Sequence, residues 1–96
     1  MGFRGKYKNK RDGNEAEIIA RLRAHGLSVY PMDTPADLLV GWDQKTWLVE
    51  VKMPKAKLSG PQEAFYADWK GNKTILRSVE DATAFAQAIR NGTEND

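Results

Sequence analysis

Residues 37–52 read DLLVGWDQKTWLVEVK, two β-rich stretches joined by a polar pair, Asp43-Gln44. Side chains alternate across a strand, so Glu50 and Lys52 share one face of the second stretch, and the valines beside them point to the opposite, core face. If Asp43-Gln44 forms a two-residue turn, Asp37 pairs with Glu50 and both carboxylates lie on the same face. A three-residue loop without a bulge would place Glu50 on the other face.

Two carboxylates that are paired across a hairpin lie close together and repel one another, by about 4 kcal/mol at ~4 Å with an effective dielectric constant near 20. A divalent cation would relieve this repulsion, and hard oxygen ligands suit Mg²⁺ or Mn²⁺. The hairpin therefore predicts a metal site with a lysine beside it. Considered alone, Glu50 and Lys52 could instead form an exposed ion pair, which contributes ~0–1 kcal/mol to stability.

The composition limits the chemistry that this chain can perform. Its 96 residues, of which 41% are hydrophobic and 29% charged, suit one ordinary globular α/β domain. The absence of cysteine excludes disulfides, zinc–thiolate sites and thiol nucleophiles. The single histidine, His25, lies at a predicted helix end and cannot form a metal cluster alone. No apolar run approaches the ~20 residues that span a bilayer, so we expect a cytoplasmic protein without a membrane partner.

The net charge of +2 is unevenly distributed. Five basic residues against one acidic residue give residues 1–13 a charge of +4, which leaves −2 for the rest. We therefore predict a basic arm over 1–13, a single domain over 14–92 and a frayed end over 93–96. The arm suits phosphate neutralisation, although a solvated tail is the other interpretation. The predicted DNA contacts are Arg4, Lys6, Lys8, Lys10 and Arg11 in the arm, and Lys55 and Lys57 in a later connector.

Periodicity and helix-start signals predict the other elements. Apolar spacing predicts a helix over 14–24 and a strand over 27–30, before the hairpin. Ser59 begins a second helix, then a strand covers 74–77 and a third helix begins at Ser78. The order is helix, three strands, helix, strand, helix. This order predicts an antiparallel meander of strands 1 to 3. The fourth strand joins it through a helical crossover, which gives a mixed sheet flanked by helices.

Two polar helix residues are predicted to face the hairpin. Glu15 aligns with the inward-facing side of the first helix and needs a partner, which a metal, a lysine or a bound water network could supply. The nearest candidates are the groups on the face of Asp37, Glu50 and Lys52. Gln62 can point to the same face, or it can serve only as the reciprocal cap of Ser59, and these two interpretations compete. The apolar side of the second helix is predicted to be Phe65, Tyr66 and Trp69.

Together these residues resemble the PD-(D/E)XK nuclease superfamily: an aspartate, twelve intervening residues, then Glu-Val-Lys, with a glutamate in the first helix. Within it the chain is similar to the VRR-Nuc group of small phage and bacterial nucleases, and also to archaeal-type Holliday junction resolvases. The likeness spans residues 11–90, and its motifs are RDGNE at 11–15, PADLLVG at 35–41, LVEVK at 48–52 and LSGPQ at 58–62. The proline is one residue further from the aspartate than is usual in the superfamily.

The resemblance implies a restriction-endonuclease-like α-β-β-β-α-β core with a C-terminal helix. It also implies a Mg²⁺-dependent DNA endonuclease, selective for branched or junction DNA, in which Mn²⁺ can substitute. A homodimer is implied too, formed through exposed aromatic residues such as Trp42 or Trp47. The alternative from another class is a non-catalytic DNA-binding or assembly module on the same fold.

By the same resemblance, Asp37, Glu50 and the Val51 carbonyl would hold the metal, and Glu15 would contribute directly or through water. Lys52 would position or activate the attacking water and stabilise the phosphate charge. Gln62 would orient Lys52 or the water.

Overall fold

A four-stranded mixed sheet forms the centre of the protein, for which a computed structural model describes residues 12–92. The strands lie in chain order; β1–β2 and β2–β3 are antiparallel, and β3–β4 is parallel. The predicted element order, meander and mixed sheet are confirmed. The elements are α1 (Glu15–Ala24), β1 (Ser28–Pro31), β2 (Leu38–Trp42), β3 (Lys45–Val51), α2 (Gly60–Asp68), β4 (Lys73–Leu76) and α3 (Val79–Asn91).

The β2–β3 hairpin turns at Asp43 and Gln44, as the sequence predicts. Their φ angles are 54° and 64°, the left-handed geometry of a two-residue hairpin turn whose twist matches that of the strands. Trp42 pairs with Lys45 and, at the other end, Leu38 pairs with Val49. This register excludes the three-residue loop. Its last pair lies one residue after Asp37 and one residue before Glu50, so the pairing of Asp37 with Glu50 stays a prediction.

One face of the sheet packs against α1 and α3. Alternate residues of β2 and β3 point to this face. The main members of the core are Ile18 and Leu22 from α1, Leu38, Val40, Val49 and Val51 from the hairpin, and Ala82, Ala86 and Ile89 from α3. This apolar layer holds the hairpin in one register, because a slip by one residue would turn the buried side chains outward.

Trp47 also belongs to this core. It is 3% exposed, and its ring meets that of Phe85 edge to face with 5.8 Å between centroids. The expectation that Trp47 is an exposed aromatic residue for a dimer interface is therefore wrong. The alternation that turns Val49 and Val51 inward turns Trp47 inward as well. Trp42 is half-buried, and the Arg90 guanidinium lies 4.7 Å from its ring centroid.

The opposite face carries α2. Only Tyr66 of this helix is buried, whereas Trp69 is 41% exposed and stacks on Phe65. The predicted apolar side of α2 is thus correct for Tyr66 and wrong for Trp69. Residues four apart share a helix face, so Tyr66 lies on the same side as Gln62, toward the sheet.

Both later helices begin at a serine, as predicted. The Ser59 hydroxyl accepts a hydrogen bond from the Gln62 N–H at 3.2 Å, and that of Ser78 accepts one from the Asp81 N–H at 3.0 Å. Within residues 12–92, no helix is long and apolar enough to cross a membrane.

Candidate active site

Asp37 and Glu50 lie at the end of the hairpin farthest from its turn. They are buried, with 7% and 3% of their surface exposed. Asp37 is held to β3 by backbone and side chain: its N–H donates to the Val49 carbonyl at 3.1 Å, and its Oδ2 accepts from the Val51 N–H at 2.9 Å. The first carboxylate is thereby fixed beside the strand that carries the second.

The hydroxyl of Tyr66 lies near both carboxylates. Burial raises the pKa of Tyr66 far above its ordinary value, and the negative charges of Glu50 and Asp37 raise it further. The hydroxyl is therefore protonated, with the carbonyl oxygens of Leu48 and Thr74 at 3.5 and 3.3 Å. Tyr66 therefore brings a neutral hydroxyl to backbone carbonyl oxygens of β3 and β4.

Gln62 serves both as a helix cap and as a site residue. Its Oε1 accepts from the Ser59 N–H at 2.9 Å, while its Nε2 donates to Glu50 Oε2 at 2.6 Å. The two interpretations of Gln62 do not compete, because a carboxamide has an acceptor end and a donor end.

Lys52 lies directly beyond β3 with its ammonium beside the same carboxylate. The distance from Lys52 Nζ to Glu50 Oε2 is 3.8 Å, and the two side chains are 16% and 4% exposed. The pair is too buried to be the exposed surface ion pair of the simpler interpretation. The Lys52 carbonyl accepts from Asn14 Nδ2 at 3.2 Å, and the same amide donates to the Arg77 carbonyl at 3.0 Å. Asn14 therefore connects the start of α1 to the backbone that directly follows β3 and β4.

Glu15 is buried in the first turn of α1, with 4% of its surface exposed. This helix packs on the core face of the sheet, opposite the face of Glu50. Among residues 12–92, no three His, Cys, Asp or Glu side chains form a group that could hold a metal. The structure thus places Asp37 and Glu50 at the same end of the hairpin, and the role of Glu15 stays a prediction.

Two contributors were missed from the sequence. The aromatic pattern predicts only an apolar role for Tyr66, although its position four residues after Gln62 indicates that both face the sheet. For Asn14 the sequence predicts only the start of a helix. Its link to the Lys52 carbonyl joins residues 38 positions apart, and no local sequence signal predicts such a contact.

The predicted DNA contacts are only partly visible. Lys55 and Lys57 are exposed in the connector between β3 and α2. The basic residues of the arm that were predicted to contact DNA lie outside the described residues: Arg4, Lys6, Lys8, Lys10 and Arg11.

The oxygen donors at this site fit a hard divalent cation. Asp37 and Glu50 supply carboxylates, whereas the backbone of Val51 contacts Asp37 through its N–H, and the metal-binding role of the Val51 carbonyl stays a prediction. Mg²⁺ typically binds one or two protein carboxylates and fills its octahedral shell with water and substrate phosphate. Two carboxylates therefore suffice for Mg²⁺, without a cluster of three.

Comparisons of the chain with protein-family models, with curated proteins and with solved structures found no match. The fold and the site together define a small α/β protein that groups a buried carboxylate, an ammonium and a carboxamide on one face of its sheet, with a second buried carboxylate at the same end of the hairpin.

Proposed function

We propose that this protein is a Mg²⁺-dependent DNA endonuclease with a restriction-endonuclease-like core, which hydrolyses phosphodiester bonds. The observation that carries the proposal is the Lys52 ammonium, 3.8 Å from the buried carboxylate of Glu50, on the strand to which Asp37 is hydrogen-bonded. Buried charged groups in proteins are paired or coordinate metals. The sequence resemblance to the VRR-Nuc group supports the same chemistry.

Phosphodiester hydrolysis requires a water molecule placed in line with the leaving group and stabilisation of the charge that develops on the phosphate. Asp37, Glu50 and the Val51 carbonyl would hold Mg²⁺, which when bound supplies Lewis-acid stabilisation of the phosphate oxygens. Lys52 would position the attacking water and donate a hydrogen bond to the phosphate. Gln62 would keep the Glu50 carboxylate in the orientation that its 2.6 Å hydrogen bond defines.

Branched or junction DNA is the proposed substrate, and a homodimer with two sites is the proposed acting form. The resemblance to junction resolvases supports both. The exposed Lys55 and Lys57 follow Lys52 within five residues, so they would bind phosphates that flank the scissile bond. Contacts of this kind add salt-dependent affinity without sequence preference.

The function is tested by incubating the protein with supercoiled plasmid, linear duplex and a four-way junction in Mg²⁺, Mn²⁺ or EDTA. We expect cleavage with either metal, none in EDTA, and the fastest reaction on the junction. Binding without cleavage in every metal would instead support the non-catalytic DNA-binding module.

Matched glutamate variants test whether the site does the chemistry. We expect Glu50→Gln to lower the cleavage rate by about 100-fold or more, because it removes a carboxylate that would hold Mg²⁺, the ion that would stabilise the charge on the reacting phosphate. The control is Glu63→Gln, which neutralises an exposed carboxylate next to Gln62 in the chain and should cleave at the wild-type rate. Equal cleavage rates for Glu50→Gln and Glu63→Gln would rule out the proposed site. Asp37→Ala and Lys52→Ala extend the comparison to the other two charged residues of the site.

A further inference from the structure

The carboxamide of Gln62 is bound at both ends, and one of its partners is a backbone group. Oε1 accepts from the Ser59 N–H at 2.9 Å, and Nε2 donates to Glu50 Oε2 at 2.6 Å. The Gln62 side chain thus links the Ser59 backbone N–H to the Glu50 carboxylate. The side chain of Ser59 itself caps the start of α2.

The Ser59 N–H selects one of two orientations of that carboxamide. Rotating the amide group by 180° would bring Nε2 against the Ser59 N–H, so that two donors face each other. The same rotation would bring Oε1 against the Glu50 carboxylate, so that two acceptors face each other. A backbone N–H can only donate. Ser59 therefore requires that the donor end of Gln62 faces Glu50.

Ser59 is itself held in place at the start of α2. Its φ of −71° and ψ of 167° are extended, and its hydroxyl accepts from the Gln62 N–H at 3.2 Å. The backbone N–H is consequently directed at the side chain one turn into the helix. This chain of contacts ends at Glu50 Oε2, the oxygen that also lies 3.8 Å from Lys52 Nζ.

We propose that Ser59 is a positioning residue of the candidate active site. Its backbone N–H, acting through the Gln62 carboxamide, sets the rotation of the Glu50 carboxylate for cation binding. The part of this inference that concerns Mg²⁺ rests on the proposed nuclease function. The part that concerns the Gln62 orientation rests on the hydrogen bonds alone.

A pair of variants isolates the Ser59 N–H. Ser59→Ala removes the hydroxyl and keeps the N–H, whereas Ser59→Pro removes both, and the φ of −71° already suits proline. In NMR spectra, we expect the Gln62 side-chain amide signals to keep their hydrogen-bonded positions in Ser59→Ala and to move to those of a free amide in Ser59→Pro. By calorimetric titration, Mg²⁺ should bind Ser59→Pro about 10-fold or more weakly than Ser59→Ala, as is usual when a partner of a metal ligand is lost.

A second measurement does not depend on proline. Hydrogen exchange of the Ser59 backbone N–H should be slow in the wild type and in Ser59→Ala, and fast in Gln62→Ala. Fast exchange in the wild type, or equal Gln62 signals and equal Mg²⁺ affinity in Ser59→Pro and Ser59→Ala, would overturn the positioning role. A wild type that binds Mg²⁺ with these differences but cleaves no DNA would overturn the nuclease function and leave the positioning role intact.

Discussion

At the scale of single residues, Gln62 and Tyr66 bring two different polar groups to the side of the sheet that carries Glu50. They lie one helical turn apart on α2, and each also contacts backbone groups outside the helix. The carboxamide donates directly to Glu50, while the hydroxyl remains neutral under the influence of both charges. One helix face thus contributes a donor to the site without adding a charge to it.

The raised pKa of Tyr66 predicts a specific loss of stability in alkaline solution. The folded protein retains a proton that the unfolded chain loses above the ordinary pKa of about 10. The free energy of unfolding is therefore unaffected below that pH and falls as the pH rises further, by about 1.4 kcal/mol per pH unit. We expect Tyr66→Phe to lack this fall, as measured by urea unfolding in EDTA from pH 9 to 11.

The matched control for this measurement is Tyr30→Phe, which removes a tyrosine that is 51% exposed. It should keep the wild-type dependence on pH, because Tyr66 is intact. If Tyr66→Phe lost stability as steeply as the wild type, the proton would belong to another group.

At the scale of elements, the two-residue turn of the hairpin determines which residues meet at the site. Asp43 and Gln44 both have positive φ, a conformation that glycine, asparagine and aspartate adopt at the least cost. Aspartate suits the first position, whereas glutamine at the second is strained. The packing of β2 and β3 against the core maintains the turn in spite of this residue.

Replacing the strained residue should stabilise the protein. We expect Gln44→Gly to raise the free energy of unfolding by about 1 kcal/mol, because glycine removes the steric cost of the left-handed conformation. The control is Gln87→Gly, the same substitution at an exposed position within α3. It should lower the free energy of unfolding by roughly 0.5–1 kcal/mol. Urea titration of both variants gives the two signs, and a loss of stability in Gln44→Gly would contradict the strain.

The sequence predicted the elements and the hairpin register well because these depend on local patterns. Period-two alternation placed Glu50 opposite the core, and the same rule, applied consistently, would have buried Trp47. The side of α2 that faces the sheet was harder to predict, since Phe65, Tyr66 and Trp69 are all large and aromatic. A contact such as Asn14 to the Lys52 carbonyl depends on how α1 docks, and docking is a property of the whole packed chain.

At the scale of the whole molecule, the sheet separates the apolar core from the polar site. The core residues of α1 and α3 pack on one face, and Glu50 meets Gln62 of α2 on the other. Consecutive residues of one strand therefore belong to different environments. Leu38 is fully buried, whereas Leu39, which points to the other face, is 36% exposed.

These two neighbouring leucines provide a test of that separation. We expect Leu38→Ala to lower the free energy of unfolding by about 2–5 kcal/mol, because it leaves a cavity in the core. Leu39→Ala, the identical change one residue later, should lower it by less than half as much, since its side chain already contacts solvent. Comparable losses in thermal or urea unfolding would show that both faces contribute equally to the core.

This two-sided sheet has a consequence for how such a chain can diversify. The candidate site residues Asp37, Glu50, Lys52 and Gln62 fall within a stretch of thirty residues, 37–66, while the hydrophobic packing that keeps the chain folded is shared with segments before and after it. The packing that maintains the fold and the polar residues of the site therefore lie on opposite faces of the sheet. Substitutions on one face can accumulate in evolution while the other face is retained.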